Sequence, residues 1–258
     1  QAVTSRLGSW RRVYSAAPTS GMGWRTAVYR SRARLPSLAA TSLQALYSIR
    51  RPVRPRITLN GEPYFQIGLL DQGYWPDGLM TPPADAAYIF DIMGMKETGF
   101  HMIRKHIKIE PERFYFHCDR LGMIVWQDMV NGGGKYDPLA VTAPLFTGIN
   151  IKDDRYARFA RQNEEGRRQF RRELDDMINH LFNCVSIVLW VPFNEGWGQF
   201  DALKAAEFIR KRDDTRPIDH ASGWYDQGGG DIKSIHWYFR PYHHMKFAIL
   251  ILFFVFSI

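Results

Sequence analysis

Short apolar runs alternate with amphipathic helical stretches through the middle of the chain. Residues 64–70 read as a strand, followed by a long loop and a helix over 85–97. Residues 101–107 form a second strand, and Pro111 opens a helix that runs to about Leu121, as proline does in a first turn. Gly122 fits a helix C-cap, and a third strand over 123–129 rises out of it. Phe170, Leu174, Met177, Ile178 and Leu181 recur at helical spacing, with Arg and Glu on the other faces. That helix leads into 185–191, a continuous apolar run of the kind that parallel sheets bury on both faces. A helix over 203–212 and strands over 217–221 and 232–239 complete the series.

Strand–helix units in this order predict an α/β fold with parallel strands. A complete (β/α)8 barrel takes about 250 residues, and the patterned body is shorter. The expected architecture is therefore a TIM barrel truncated after about six strands. Three segments follow: an Arg-rich leader over 1–56, the partial barrel over 57–240, and an apolar tail over 241–258.

Charge sharpens that division. The chain has 34 basic and 26 acidic residues, a net charge of +8. Eleven of the basic residues are arginines within 1–56, a stretch without Asp or Glu. The remaining 23 basic residues face 26 acidic ones, so the body carries −3. A nucleic-acid surface needs clustered cations on the folded face, and the body has no such excess; no nucleic-acid partner is expected. The leader has the composition of an organellar transit peptide, but also fits the end of a preceding domain or sequence foreign to the body. The chain starts with Gln, and no secretory-signal pattern is present in the leader. The tail from Phe247 is almost wholly apolar, but shorter than the roughly 20 residues of a membrane-spanning helix. It is expected to be truncated or misjoined, and a membrane anchor is the less favoured alternative. Cys118 and Cys184 lie in apolar settings without metal or redox spacing, which predicts inert buried thiols.

Barrel enzymes place their chemistry at the C-terminal ends of the strands. Here the strand ends carry Arg104, Lys105 and His106, then Gln127 and Asp128, then Asn194 and Glu195, then His236 and Tyr238. Glu195 directly follows a buried apolar run, with Trp197 two residues on. A carboxyl at the rim of an apolar core, partly desolvated, suits a general acid. A plain strand-end cap or ion pair is the competing reading of the same residue.

The motifs themselves bear a resemblance. "LNGEPYFQIGLLDQGYWPDG", "FHMIRKHIKIEPERFYFHCDRLGMIVWQDM" and "NHLFNCVSIVLWVPFNEGWGQFD" resemble glycoside hydrolase family 2, which includes β-galactosidases, β-glucuronidases and β-mannosidases. "DDTRPI" and "SIHWYF" follow in the family's order. The resemblance implies a retaining β-glycosidase barrel acting on carbohydrate, with no organic cofactor; a divalent ion occurs in some members, but no metal-ligand cluster stands out in this sequence. It implies Glu195 as general acid/base and Asn194 as the contact to the sugar 2-hydroxyl. Arg104 matches an arginine beneath the active centre, Asp128 an acidic residue ending strand three, and Tyr238 a tyrosine near the nucleophile. His236 joins these as a substrate-binding candidate, and Trp197 and Trp224 as ring-stacking candidates. One departure stands at strand two, where the family often has His three residues after the arginine. Ile107 occupies that place, and His106 precedes it.

Retaining hydrolysis needs two carboxylates about 5–5.5 Å apart. The family's nucleophile is a Glu ending strand seven, and no Asp or Glu follows Asp231. The 258 residues are therefore expected to hold the acid/base without the nucleophile and to be inactive by themselves. A non-catalytic carbohydrate-binding remnant is the alternative.

Overall fold

The computed structural model describes residues 47–50, 56–60 and 62–236. A parallel sheet forms the centre, built from β4 (Gly68–Asp71), β5 (Met102–Lys105), β6 (Ile124–Asp128) and β7 (Ile187–Val191) in chain order. Helices α1 (Asp85–Glu97), α2 (Glu112–Leu121), α4 (Glu164–Leu181) and α5 (Ala202–Arg212) lie between or after these strands, and α3 (Pro138–Phe146) lies in the long connection after β6. The architecture is an α/β partial barrel, unclosed among the described residues.

The α1 helix falls where its pattern predicts, and α2, α4 and α5 agree within a few residues. Gly122 has φ 70°, the left-handed geometry of a glycine cap, and Met123 N–H bonds back to the Cys118 carbonyl at 2.9 Å. On α4 the five apolar residues are buried, each contributing about 1.5–3 kcal/mol of transfer free energy. Asn163 caps that helix by accepting from Gly166 N–H at 3.0 Å.

Side-chain alternation splits the core into two layers. Met102, Ile124, Trp126, Val188, Leu189, Val191 and Ile232 fill the inner side of the sheet. Ile103, Val125, Ile187 and Trp190 face the helices. The same period of two sends Arg104 and Asp128 inward and Lys105 outward. There Lys105 bridges Asp71 at 2.7 Å and Glu110 at 2.9 Å, and a second cation, Lys108, reaches Glu110 at 2.8 Å. This buried network ties the end of β4 to the loop after β5 on the outside of the sheet.

The run 64–70 is not one strand. A three-stranded antiparallel sheet of β1 (Tyr47–Arg50), β2 (Arg56–Leu59) and β3 (Glu62–Pro63) precedes the barrel. Tyr64 N–H extends it, donating to the Ile57 carbonyl at 3.0 Å. Ile57 and Tyr64 pack on the inner cluster near the starts of β5 and β6. Only Gly68 onward joins the parallel sheet.

The strand expected at 217–221 is reduced to two in-register bridges, Trp190 with Ile218 and Asn194 with Ser222. Pro192 lies between them and has no N–H to donate. Its carbonyl is taken by Asn131 Nδ2 at 3.1 Å. The ladder therefore breaks at Pro192 and resumes beyond it, where Ser222 N–H reaches the Phe193 carbonyl at 3.0 Å. Residues 232–236 run alongside without forming a strand, and the rest of the expected strand over 232–239 lies outside the described residues. No described helix is long and apolar enough to cross a membrane. Both cysteines are buried, and they are not joined in a disulfide.

Candidate active site

Two neighbouring strands end in opposite charges that meet inside the sheet. Arg104, next to last in β5, has Nε 2.9 Å from Asp128 Oδ1 and Nη2 3.0 Å from Asp128 Oδ2. The same Nη2 donates to Asn194 Oδ1 at 2.8 Å. Burial pulls the guanidinium pKa down, but Asp128, helped by Asp219 and Glu195, more than offsets this and raises it. Arg104 is thus a fixed cation at the floor of the strand ends. Asn194 is held from behind as well, its N–H reaching Asn131 Oδ1 at 2.9 Å. Asn131 also bonds the Met129 and Pro192 carbonyls, which pins the exit of β6 to the exit of β7.

Glu195 follows with φ 52° and donates its N–H to the Ser222 carbonyl at 2.8 Å. A non-glycine residue with positive φ is uncommon and aims its side chain out of the strand direction. Gly196 continues the turn at φ 74°, and Trp197 N–H closes it on the Asn194 carbonyl at 3.0 Å. The Glu195 carboxyl, 14% exposed, lies with Oε1 2.6 Å from His236 Nδ1. The other ring nitrogen of His236 contacts Arg104 Nη1 at 3.2 Å and Ser222 Oγ at 3.0 Å.

Arg104, Asp128, Asn194, Glu195 and His236 are therefore brought together in one hydrogen-bonded cluster. Trp197 stands at the rim, 36% exposed, with Tyr136 edge-on at 4.8 Å. Trp224 is buried with Phe159 and Tyr225, so Trp197 offers the more accessible indole of the two. Tyr238 lies outside the described residues. Two contributors were not singled out in the sequence: Asn131 and Ser222. Asn131 and Ser222 act through loop geometry that no pattern announces. His106 was visible as a strand-end residue. Burial lowers its pKa, and the charges of Asp128, Arg104, Glu195 and His236 all act on it. Asp219 is buried beside the cluster, and desolvation raises its pKa despite Arg104 nearby. Among the described residues, no group of three His, Cys, Asp or Glu is gathered to hold a metal ion.

A polar cluster at the C-terminal ends of parallel strands, centred on one carboxyl and backed by a buried arginine, lies where barrel enzymes place their active sites. The family of glycosyl hydrolases family 2, TIM barrel domain, matches residues 86–251, more than half of the chain, and the chain belongs to it. Solved structures with a similar fold include an FMN-binding β-glucuronidase from Facaelibacterium prausnitzii L2-6. It has 17% identity and a TM-score of 0.55, over 71% of this chain and 27% of that one. A β-glucuronidase from an uncultured Clostridium sp. is 17% identical with a TM-score of 0.51, over 68% and 28%. A β-galacturonidase from Eisenbergiella tayi, bound to galacturonate, is 21% identical with a TM-score of 0.50, over 67% and 28%. The chain spans about a quarter of the length of these three proteins. No curated protein matches the sequence.

Proposed function

We propose that this domain carries the acid/base half of a retaining β-glycosidase, with Glu195 as the proton donor and acceptor. The observation that carries the reading is the cluster itself. Glu195 follows the end of β7 beside Asn194, and both are tied through Arg104 and His236 to the ends of the neighbouring strands. Such fixed geometry suits general acid catalysis, which needs the carboxyl within hydrogen-bond reach of a leaving oxygen. Asn194 and Trp197 supply a hydroxyl contact and a stacking face. Asp128 does not suit the nucleophile's role, because Arg104 engages both its oxygens. With no Asp or Glu after Asp231, the nucleophile is not supplied within these 258 residues.

The test is a paired assay on the purified chain. A panel of nitrophenyl β-glycosides, including glucuronide and galacturonide, is followed for product and for quenching of Trp fluorescence. Binding without turnover is the expected result. Turnover that disappears in Glu195→Gln would overturn the absence of a nucleophile, and no binding across the panel would overturn the carbohydrate site.

A further inference from the structure

Glu195 and Arg104 are joined through a single imidazole, and the arginine decides which proton that ring carries. His236 Nε2 lies 3.2 Å from Arg104 Nη1, and its Nδ1 lies 2.6 Å from Glu195 Oε1. A guanidinium has donors only, so Nε2 is the acceptor in that contact. In a neutral ring the proton then resides on Nδ1, and this N–H is directed at the Glu195 carboxyl. Ser222 Oγ, 3.0 Å from the same Nε2, adds a hydroxyl donor, and Ser234 Oγ supports Ser222 at 3.4 Å. An imidazolium would set an N–H against the N–H of Arg104 and two cations side by side. The carboxylate of Glu195 favours that charged form, but Arg104 opposes it and is locked in place by Asp128 and Asn194.

The ring has little freedom to turn over. Gly223 has φ 88°, and a Cβ there would fall 2.5 Å from the ring's Cγ and Nδ1, so backbone packs directly on the imidazole. The charged and titratable groups around the ring come from every neighbouring element. They are Arg104 at the end of β5, His106 after it, Asp128 at the end of β6, Glu195 after β7, and Asp219 in the segment beyond.

We propose that His236 is a positioning residue for Glu195. Its neutral Nδ1–H tautomer, fixed by Arg104 and Ser222, donates to Glu195 Oε1 and assigns the exchangeable acid proton to Oε2. An oxygen that accepts an N–H hydrogen bond keeps its acceptor character, so the protonated carboxyl carries its hydrogen on the other oxygen. The same hydrogen bond limits rotation of the carboxyl as its proton leaves and returns. The proposal rests on the reading of Glu195 as the acid/base.

The experiment uses the full 258-residue chain labelled with 15N-histidine and 13C-carboxyl glutamate. His236 and Glu195 signals are assigned with His236→Gln and Glu195→Gln. The wild-type ring is expected to show the Nδ1–H tautomer at neutral pH; an Nε2–H ring or an imidazolium there overturns the proposal. The Glu195 carboxyl midpoint is expected to move upward in His236→Phe, which lacks the donor. It should return toward wild type in His236→Gln, whose amide donates; equal midpoints in all three proteins overturn the positioning role. Should His236→Phe fail to fold, the wild-type tautomer still decides. Neither readout uses turnover, so this proposal and the glycosidase reading fail separately.

Discussion

Arg104 and Asp128 form a two-pronged ion pair between the ends of adjacent strands, and each side chain is only 1% exposed. A buried pair of this kind is weak evidence of net stabilisation, but removing one partner strands the other charge. Arg104 additionally holds Asn194 and His236, so the fork sets the geometry of the whole cluster.

Replacement of Arg104 by Lys should therefore be costly despite conserving charge. An ammonium is a point donor and does not match both carboxylate oxygens together with Asn194. A loss of about 3 kcal/mol is expected, the lower end for breaking a buried pair, measured as a lower urea midpoint at unchanged slope. The double replacement Arg104→Met with Asp128→Leu should recover part of that loss, because neither member of the pair is left charged without the other. A single variant costing under about 1 kcal/mol would show that the fork does not hold the strand ends.

Much of this arrangement was legible in the sequence, and what was hidden has identifiable causes. Helices with a strong apolar face, such as the one bearing Phe170 and Leu181, announce themselves by period. The inward direction of Arg104 and Asp128 follows from alternation along β5 and β6, and Glu195 stands out because a polar pair ends an apolar run. Residues 64–70 misled because Tyr64 covers the sheet's inner cluster from a separate hairpin, while Gly68 begins the strand. The strand over 217–221 carries the right pattern, but Pro192 on its partner withholds the N–H that would complete the ladder. Asn131 and Ser222 act through contacts 63 and 14 residues away, and no local pattern encodes those.

The segment "DDTRPI" proves to be a fastening rather than part of the site. Asp213 accepts from Trp190 Nε1 at 2.8 Å and pairs with Arg216 at 2.5 Å. Arg216 in turn ties the carbonyls of Ile187 at 2.7 Å and Phe182 at 2.8 Å. Burial works to raise the Asp213 pKa, but Arg216 and the hydrogen bonds from Thr215 and Trp190 prevail and lower it. A depressed folded pKa means stability present above the ordinary carboxylate range and lost as pH falls through the folded value. Asp213→Asn should cost roughly 3 kcal/mol near neutral pH. Its stability should also fall less steeply than wild type below about pH 4. Parallel acid-unfolding curves for the two proteins would rule out this contribution.

The thiol of Cys118 is buried, and desolvation, reinforced by Asp119, pushes its pKa well up. Thiolate is the reactive form, so a disulfide reagent at pH 8 should find almost nothing to attack in the native chain. Full reaction is expected only with denaturant. Native labelling should be slower by about 1,000-fold or more, matching an opening cost of at least about 4 kcal/mol. Rapid native labelling of Cys118 would mean that the layer between α2 and the sheet opens readily.

Gly196 gives the most direct test of how tightly Glu195 is aimed. Its φ of 74° is costly for any L side chain, and an added Cβ would lie 2.6 Å and 2.7 Å from two carbons of the Tyr225 ring. That ring cannot simply step aside: Phe159 meets it edge-on at 5.0 Å, and its hydroxyl bonds the Ala140 carbonyl. In Gly196→Ala the turn must move instead, carrying Glu195 and Trp197 with it. The expected loss is roughly 2–4 kcal/mol, from left-handed backbone strain and overpacking together. Gly228 is the internal control, with φ 82° and open space around its would-be Cβ. Gly228→Ala should cost only the backbone share, about 1–2 kcal/mol. Equal losses in the two variants would show that Tyr225 yields and that the turn bearing Glu195 is not braced by it. A larger loss at Gly196, accompanied by a shift in Trp emission absent from Gly228→Ala, would establish that bracing.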